Sequence, residues 1–389
     1  FNNVKYTRGY NIADDETDEK LFNEAIDKAK NAEKVILFIG LPDRIESESY
    51  DRVSLDLPKN QIDLLNAVYK INNNIGIVLF NGSPVNMDFR NKVKGILEAY
   101  LPGQGGGKAI YNLITGRKNF SGVLAESIPE KLSDNPSYLN FPLTYGYKNA
   151  VKYSEGINIG YKYYEKKDIK PAFPFSFGLS YTKFQYSDFT VNKGEADVLY
   201  KVNLKVKNIG KLDGKKIVTV FTESYDDFGH LANISLKNFT KIFLKKGEEK
   251  DVSFNLKKES FSEYILSKKD FEIKGGKYKI KIGTFSSESA TPLSFDVKLN
   301  PTYDEKLKVD INTQLDLLLD NKFTKPVIED VFNSIFDTII NKDIAGDESA
   351  ITRKMQIEMF KSMPLSVLRN SYGYSQEKLD SLIDRLNSV

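Results

Sequence analysis

The sequence has 389 residues, 40% hydrophobic and 28% charged, which suits a folded chain of two or three domains and excludes long disorder. Lys plus Arg number 56 against 53 Asp plus Glu, a formal charge of +3, so the balance makes no case for a nucleic-acid or anionic-membrane partner; no apolar run approaches the length of about eighteen residues that a transmembrane helix needs. With no Cys and a single His, His230, disulfides and thiolate sites are excluded and a Ser-His-Asp triad is hard to build, which leaves carboxylates as the agents of any chemistry, with no cofactor and no metal expected.

In chain order, residues 18–32 (DEKLFNEAIDKAKNA) predict an amphipathic helix with an acidic first turn. Lys34–Gly40 is a short apolar run that reads as a strand buried on both faces. A helix over 58–72 follows, with Pro58 suited to its first turn, then strands at Ile75–Phe80 and Gly95–Tyr100. Gly103–Gly107 leads into a helix over 108–115, and Gly122–Ile128 reads as one more strand. Alternating apolar strands and helices argue an α/β layered domain with a largely parallel sheet, whose functional residues belong in loops at the carboxyl ends of strands. We place this domain at 1–182.

Past 183 the period changes to two. Lys201–Lys207 alternates, with Val202, Leu204 and Val206 on one face and polar residues on the other. Segments 216–221, 241–244, 251–256 and 277–282 look similar, and turn signals at Gly210, Gly214, 245–250 and Gly275–Gly276 separate them. This is the pattern of an immunoglobulin-like antiparallel β-sandwich, placed at 183–299. In the remaining 300–389, Ile328, Val331, Phe332, Ile335, Phe336 and Ile339 fall on one helical stripe, and further helices are expected at 352–362 and 375–387. That tail is expected to pack on another domain.

Four features could carry chemistry. The loop 41–52 after the first strand holds Asp43, Glu46, Glu48 and Asp51, and a general acid is a carboxyl group on such a loop; on composition alone a solvated acidic surface outweighs that reading. Tyr100–Gly107 is Gly-rich before a helix, yet lacks the Lys-Ser/Thr of a phosphate loop, so a tight turn outweighs a nucleotide site. The aromatic stretch Tyr153–Tyr181 fits inter-domain packing better than a sugar-stacking surface. His230 reads as a surface residue in a sandwich loop. Sequons begin at Asn81, Asn119, Asn233 and Asn238; such matches arise by chance and carry no weight.

Taken as an ordered series, these segments resemble the second half of a glycoside hydrolase family 3 β-glucosidase. Glu48-Ser-Tyr-Asp-Arg52 is similar to the family's E-G-Y/F-D-R loop, and Leu55–Gln61 to its L-D-L-P-x-N-Q. Asn81–Val85 resembles a strand-end G-S-P-V, Tyr100–Gly107 the segment Y-P-G-Q-E-G-G, and Phe120–Ala125 the segment P-S-G-K-L-A. Tyr153–Gly156, Gly160–Tyr164 and Phe173–Tyr181 resemble Y-x-E-G, G-Y-R-Y-Y and F-P-F-G-x-G-L-S-Y, while Met363–Leu368 is similar to the helical tail of some bacterial members. The resemblance spans the chain and implies a fibronectin type III-like sandwich as the middle domain. It departs from the pattern where Ser49 and Ser176 replace Gly and where Gly105 replaces Glu.

The resemblance implies retaining glycoside hydrolysis, with Glu48 as general acid/base, Glu46 as the runner-up, and Asp51 and Arg52 supporting the loop. The family's nucleophile sits in a (β/α)8 barrel, and neither eight βα units nor a nucleophile motif is found in these residues. The expected partners are therefore that barrel, in the same or another chain, and a β-glycoside; a homo-oligomer is a further possibility. Phe1–Tyr10 resembles the middle of the family's α/β domain, so a fragment or one chain of a two-part enzyme is expected, inactive alone. The alternatives are a non-catalytic carbohydrate-binding or scaffold homologue, or an interaction module. The sequence fixes no compartment; a bacterial cytoplasmic location is the expectation.

Overall fold

A computed structural model describes residues 3–49, 52–140, 153–226, 228–265, 269–283, 293–303, 307–340, 355 and 357–389, with the side chains of 336–340 set aside. The chain divides into two compact units, Phe1–Tyr264 with Phe271–Pro301, and Ile265–Asp270 with Thr302–Val389.

The first unit opens with an α/β domain. Helix α1 (Glu19–Lys30) is capped by the Asp18 carboxylate, which accepts from the Lys20 and Leu21 N–H groups. Strands β1 (Val35–Gly40), β2 (Ile75–Phe80) and β3 (Gly95–Glu98) form a parallel sheet in that order. Helix α2 (Lys59–Ile71) follows Pro58 and packs with α1 on one face of the sheet, where Ile39, Leu64, Leu65, Val68, Ile75, Ile77 and Leu79 close a core. Helix α3 (Gly106–Ile114) covers the other face, through Ile110 against Val78 and Leu97.

Two strand expectations are corrected here. β1 is not buried on both faces: Ile36 and Phe38 stand exposed, with Phe38 stacked on Phe80, because the described cover of that face lies over β2 and β3. Residues 122–128 form no strand. They run extended beside 173–177, with one bridge between Ile128 and Phe173 and further bonds from Leu124 N–H to the Phe177 carbonyl and from Ser176 N–H to the Leu124 carbonyl.

Helix α4 (Tyr161–Lys167), absent from the sequence expectations, leads to the sandwich. Its strands are β4 (Phe184–Lys193), β5 (Val198–Asn208), β6 (Gly214–Tyr225), β7 (Leu231–Leu244), β8 (Glu249–Lys257), β9 (Glu263–Ile265), β10 (Asp270–Glu272), β11 (Gly276–Ile282) and β12 (Leu293–Leu299). Sheets β4-β5-β8 and β12-β11-β6-β7 are antiparallel and close on Val202, Leu204, Val206, Val218, Val220, Phe254 and Ile280. Tyr161 joins the two domains: its ring stacks on Phe175 at 4.6 Å and meets Phe221 edge-on, and its hydroxyl accepts from Leu236 N–H at 2.9 Å. The aromatic stretch is thus packing material, and Tyr164 within it is buried.

The second unit, a tail that the sequence led us to expect on another domain, has a core of its own. Helices at Leu315–Asp320, Lys325–Ile340, Ser366–Tyr372 and Gln376–Ser388 bury Leu318, Ile328, Phe332, Ile335, Phe360, Leu368, Leu379 and Leu382 against one another. The described part of the helix expected over 352–362 is helical at 357–361. Ser375 caps the last helix through Lys378 N–H. Among the described residues no helix is long and apolar enough to cross a membrane.

Candidate active site

The carboxyl ends of β1, β2 and β3 come together, and the loop that leaves β1 lies among them. Gln61, buried at the start of α2, fixes the last residue of β1. Its Oε1 accepts from Gly40 N–H at 2.8 Å and its Nε2 donates to the Gly40 carbonyl at 2.9 Å. Asn60 beside it donates to the carbonyls of Asn11 and Asp14. These two side chains give the L-D-L-P-K-N-Q segment its physical sense: Gln61 ties helix α2 to the strand end before the acidic loop, and Asn60 ties it to the segment before α1. Pro42 then accepts from Ile45 and Glu46 in a single helical turn, and Arg44 reaches back to Asp15 at 2.5 Å.

Glu46 is held inward. Its Oε2 accepts from Gly82 N–H at 2.6 Å, its Oε1 accepts from the Ser83 hydroxyl, and Arg52 lies 3.9 Å away. Arg52 is also turned in: Nη1 donates to Ser83 Oγ at 2.9 Å and to the Pro84 carbonyl at 3.0 Å. Burial makes this guanidinium easier to deprotonate, while Glu46 and Asp56 oppose that shift. Both anchors close on the turn after β2, one before Glu48 and one after it.

Glu48 itself is exposed, and its carboxyl group makes no hydrogen bond or ion pair among the described residues. Ser49 beside it has φ 73°, in the left-handed region that a Gly would enter freely. The departure from E-G-Y-D-R therefore falls at a backbone position where Gly has an advantage. Asp51, expected to support the loop, lies outside the described residues, as does Tyr50.

Below the loop sits a layer that the sequence did not suggest. Asn81 is 1% exposed and donates to the Ser83 carbonyl at 2.9 Å. Glu98, the last residue of β3, accepts from Tyr100 N–H at 3.2 Å. Burial, with Glu126 adding to it, pushes its carboxyl group up to about 7. Burial and then Glu46 raise Glu126, and burial followed by Glu126 and Glu98 raises the Tyr100 phenol. The only clue in the sequence was position: Asn81, Glu98 and Tyr100 lie at or just past the end of an apolar strand, whereas Glu126 lies in a segment that forms none. Among the described residues no group of three His, Cys, Asp or Glu could hold a metal ion.

The Gly-rich segment forms a turn, with Gly103 at φ 61° and its carbonyl accepting from Gly106 N–H. A side chain at Gly105, where the family has Glu, would meet open space. His230 lies exposed at the β6–β7 tip, its Nδ1 3.2 Å from Asp226.

Residues 5–181 match the glycosyl hydrolase family 3 C-terminal domain, and residues 217–286 match the fibronectin type III-like domain. The chain carries the C-terminal portion of glycoside hydrolase family 3. It is 40% identical over 395 residues to thermostable β-glucosidase B of Acetivibrio thermocellus, covering 100% of this chain and 50% of that protein. An exo-α-(1→6)-L-arabinopyranosidase of Bifidobacterium breve is 37% identical over 286 residues, covering 73% of this chain and 37% of its own. The crystal structure of a family 3 β-glucosidase from Bifidobacterium adolescentis superposes with TM-score 0.75 at 34% identity, over 84% of this chain and 48% of that one. A β-glucosidase from Kluyveromyces marxianus in complex with glucose gives 0.65 at 34% identity, over 73% and 34%. The chain spans about half the length, or less, of these relatives.

Proposed function

We propose that this chain supplies the general acid/base of a retaining β-glycosidase, with Glu48 protonating the leaving oxygen and then activating water. The nucleophile would come from a (β/α)8 barrel, in the same or another chain, and the polypeptide would be inactive without it. The observation that carries the reading is the contrast within one loop. Glu46 and Arg52 are spent on anchoring, whereas the carboxyl group between them is exposed and uncommitted, on the edge of the sheet where ligands of open α/β folds sit. An acid/base must both give and take a proton, so it cannot be tied to a cation. On this reading Arg52 supports the loop as expected, and Glu46, the runner-up acid, is a support as well. The substrate is a β-glycoside; the relatives include both a β-glucosidase and an exo-α-(1→6)-L-arabinopyranosidase, so the sugar is set elsewhere. A bacterial cytoplasmic location belongs to the same proposal.

The test pairs the chain with its barrel. Glu48→Gln is expected to lower turnover of a β-glucoside with a poor leaving group by about 10²–10⁴-fold, and to spare one with a good leaving group in the first step. Unchanged turnover on both would sink the assignment. The left-handed backbone at Ser49 is the one observation favouring a non-catalytic, sugar-binding homologue; saturable sugar binding by this chain without a barrel would decide for it.

A further inference from the structure

Two buried acceptors, one just past β2 and one at the end of β3, have no donor. Asn81 Oδ1 and Glu98 Oε2 are both shielded from solvent, and neither accepts a hydrogen bond. The Asn81 amide is close enough to Glu98 to act on it, holding its carboxyl group down where burial raises it. Turning that amide over would not help, because Nδ2 is committed to the Ser83 carbonyl at 2.9 Å and a flip would set Oδ1 against another oxygen. Each of these buried acceptors bears the cost of lost hydration, and one proton on Glu98 would turn it into a donor.

We infer that Glu98 is a neutral carboxylic acid that donates to Asn81 and thereby positions the turn on which the acid/base loop is anchored. The chain of contacts is continuous. Asn81 holds the Ser83 carbonyl, Gly82 and Ser83 hold Glu46, and Ser83 and Pro84 hold Arg52. Glu46 and Arg52 flank Glu48 in sequence, so a shift of the turn moves Glu48. Glu98 touches no substrate on this account; it is a positioning residue, and its role rests on the reading of Glu48 given above.

Burial, with Glu126 adding to it, favours the neutral form of Glu98 and outweighs the Tyr100 N–H and the Asn81 amide, which favour the charged one. Glu126 faces it from the segment after α3, Tyr100 contributes an N–H to the other carboxyl oxygen, and Glu46 stands next to Glu126. Arg52 donates through Nη1 to Ser83 and Pro84 and faces Glu46, with its Nε and Nη2 buried without a partner. Ionisation of Glu98 as pH rises through about 7 would place a second charge beside Glu126 and leave Asn81 Oδ1 without a donor.

The experiment uses this chain first, without a barrel. Infrared difference spectra between pH values below and above 7 are expected to show one protonated-carboxyl band that titrates near 7 and is absent from Glu98→Gln. Glu98→Gln keeps a donor for Asn81 at every pH, so its melting temperature is expected to match that of the parent below pH 6 and exceed it above pH 8. Glu98→Ala is expected to lie below the parent in the acid range. Absence of a band that Glu98→Gln removes, or a Glu98→Gln melting temperature below the parent's in acid, overturns the inference. With a barrel supplied, Glu98→Gln is expected to extend the basic limb of kcat by at least one pH unit with KM unchanged. If Glu48→Gln leaves turnover untouched while the infrared band behaves as stated, the acid/base reading fails and the protonated Glu98 stands.

Discussion

Ser176 occupies a position where the family pattern has Gly, and three observations show what the exchange costs. Its φ is 68°, its side chain is 2% exposed, and its hydroxyl is buried with no hydrogen-bond partner. A left-handed backbone costs a residue with a Cβ about 1–2 kcal/mol, and a buried unsatisfied hydroxyl about 1–3 kcal/mol. Gly at this position would relieve both, at an entropic cost of roughly 0.5–1 kcal/mol in the unfolded chain. The backbone bond from Ser176 N–H to the Leu124 carbonyl at 2.8 Å would survive the change. Ser176→Gly is therefore expected to stabilise the first unit by about 1 kcal/mol, read as a higher denaturant midpoint at unchanged slope. A lower midpoint would mean that the hydroxyl has found a partner the geometry does not show. Ser49 shares the backbone strain but not the burial, so the same exchange there lacks the second gain.

Helix α4 has seven residues, yet it joins the α/β domain to the sandwich, and its charges make that junction sensitive to pH. Besides the stacked Tyr161, its Lys166 donates to the Ala232 carbonyl at 3.2 Å. Glu165 is raised above the usual carboxylate range chiefly by burial; Lys281 opposes this, while Glu223 and Asp168 add to it. Glu223 is the buried partner in the cluster, bonded to the Tyr225 hydroxyl at 2.5 Å and to Lys281 at 3.3 Å. A carboxyl group raised on folding contributes stability below its unfolded value and loses it as pH rises through the folded value. Glu165→Gln is thus expected to leave the melting temperature unchanged in acid and raise it at neutral pH, by an amount that solvent screening keeps under about 1 kcal/mol. A melting temperature that falls at neutral pH would show instead that Lys281 needs this charge. The helix itself was missed from the sequence because its residues are polar or aromatic and it is too short to show a period. Period-two alternation exposed β5 and its neighbours clearly, since Val202, Leu204 and Val206 report one face. An apolar run such as 35–40 cannot say which neighbours will cover it, and so Ile36 and Phe38 were misjudged. Glu48 was legible through a family motif. Its anchors were not, because Glu46 meets Gly82 across 36 positions and Arg52 meets Pro84 across 32, and no local pattern carries a pairing of that separation.

Over the whole chain the decisive fact is that the cores are separate. Among the described residues the α/β core, the sandwich core and the helical core share no residue, and the helical core lies in a unit of its own, with Thr302–Val389 as its main part. A single cooperative transition requires that cores be coupled, so this chain is expected to unfold in at least two calorimetric steps. Leu379 lies fully buried in the helical core beside Leu368 and Leu382. Truncating it removes buried methyl groups and leaves a cavity, a loss of about 2–5 kcal/mol for a site that cannot collapse. Leu379→Ala is therefore expected to move one calorimetric transition down and leave the other in place. Equal movement of both, or one sharp transition in the parent, would show that the helical unit is coupled to the first unit after all. In that case the stability of the Glu48 loop would also depend on residues 302–389.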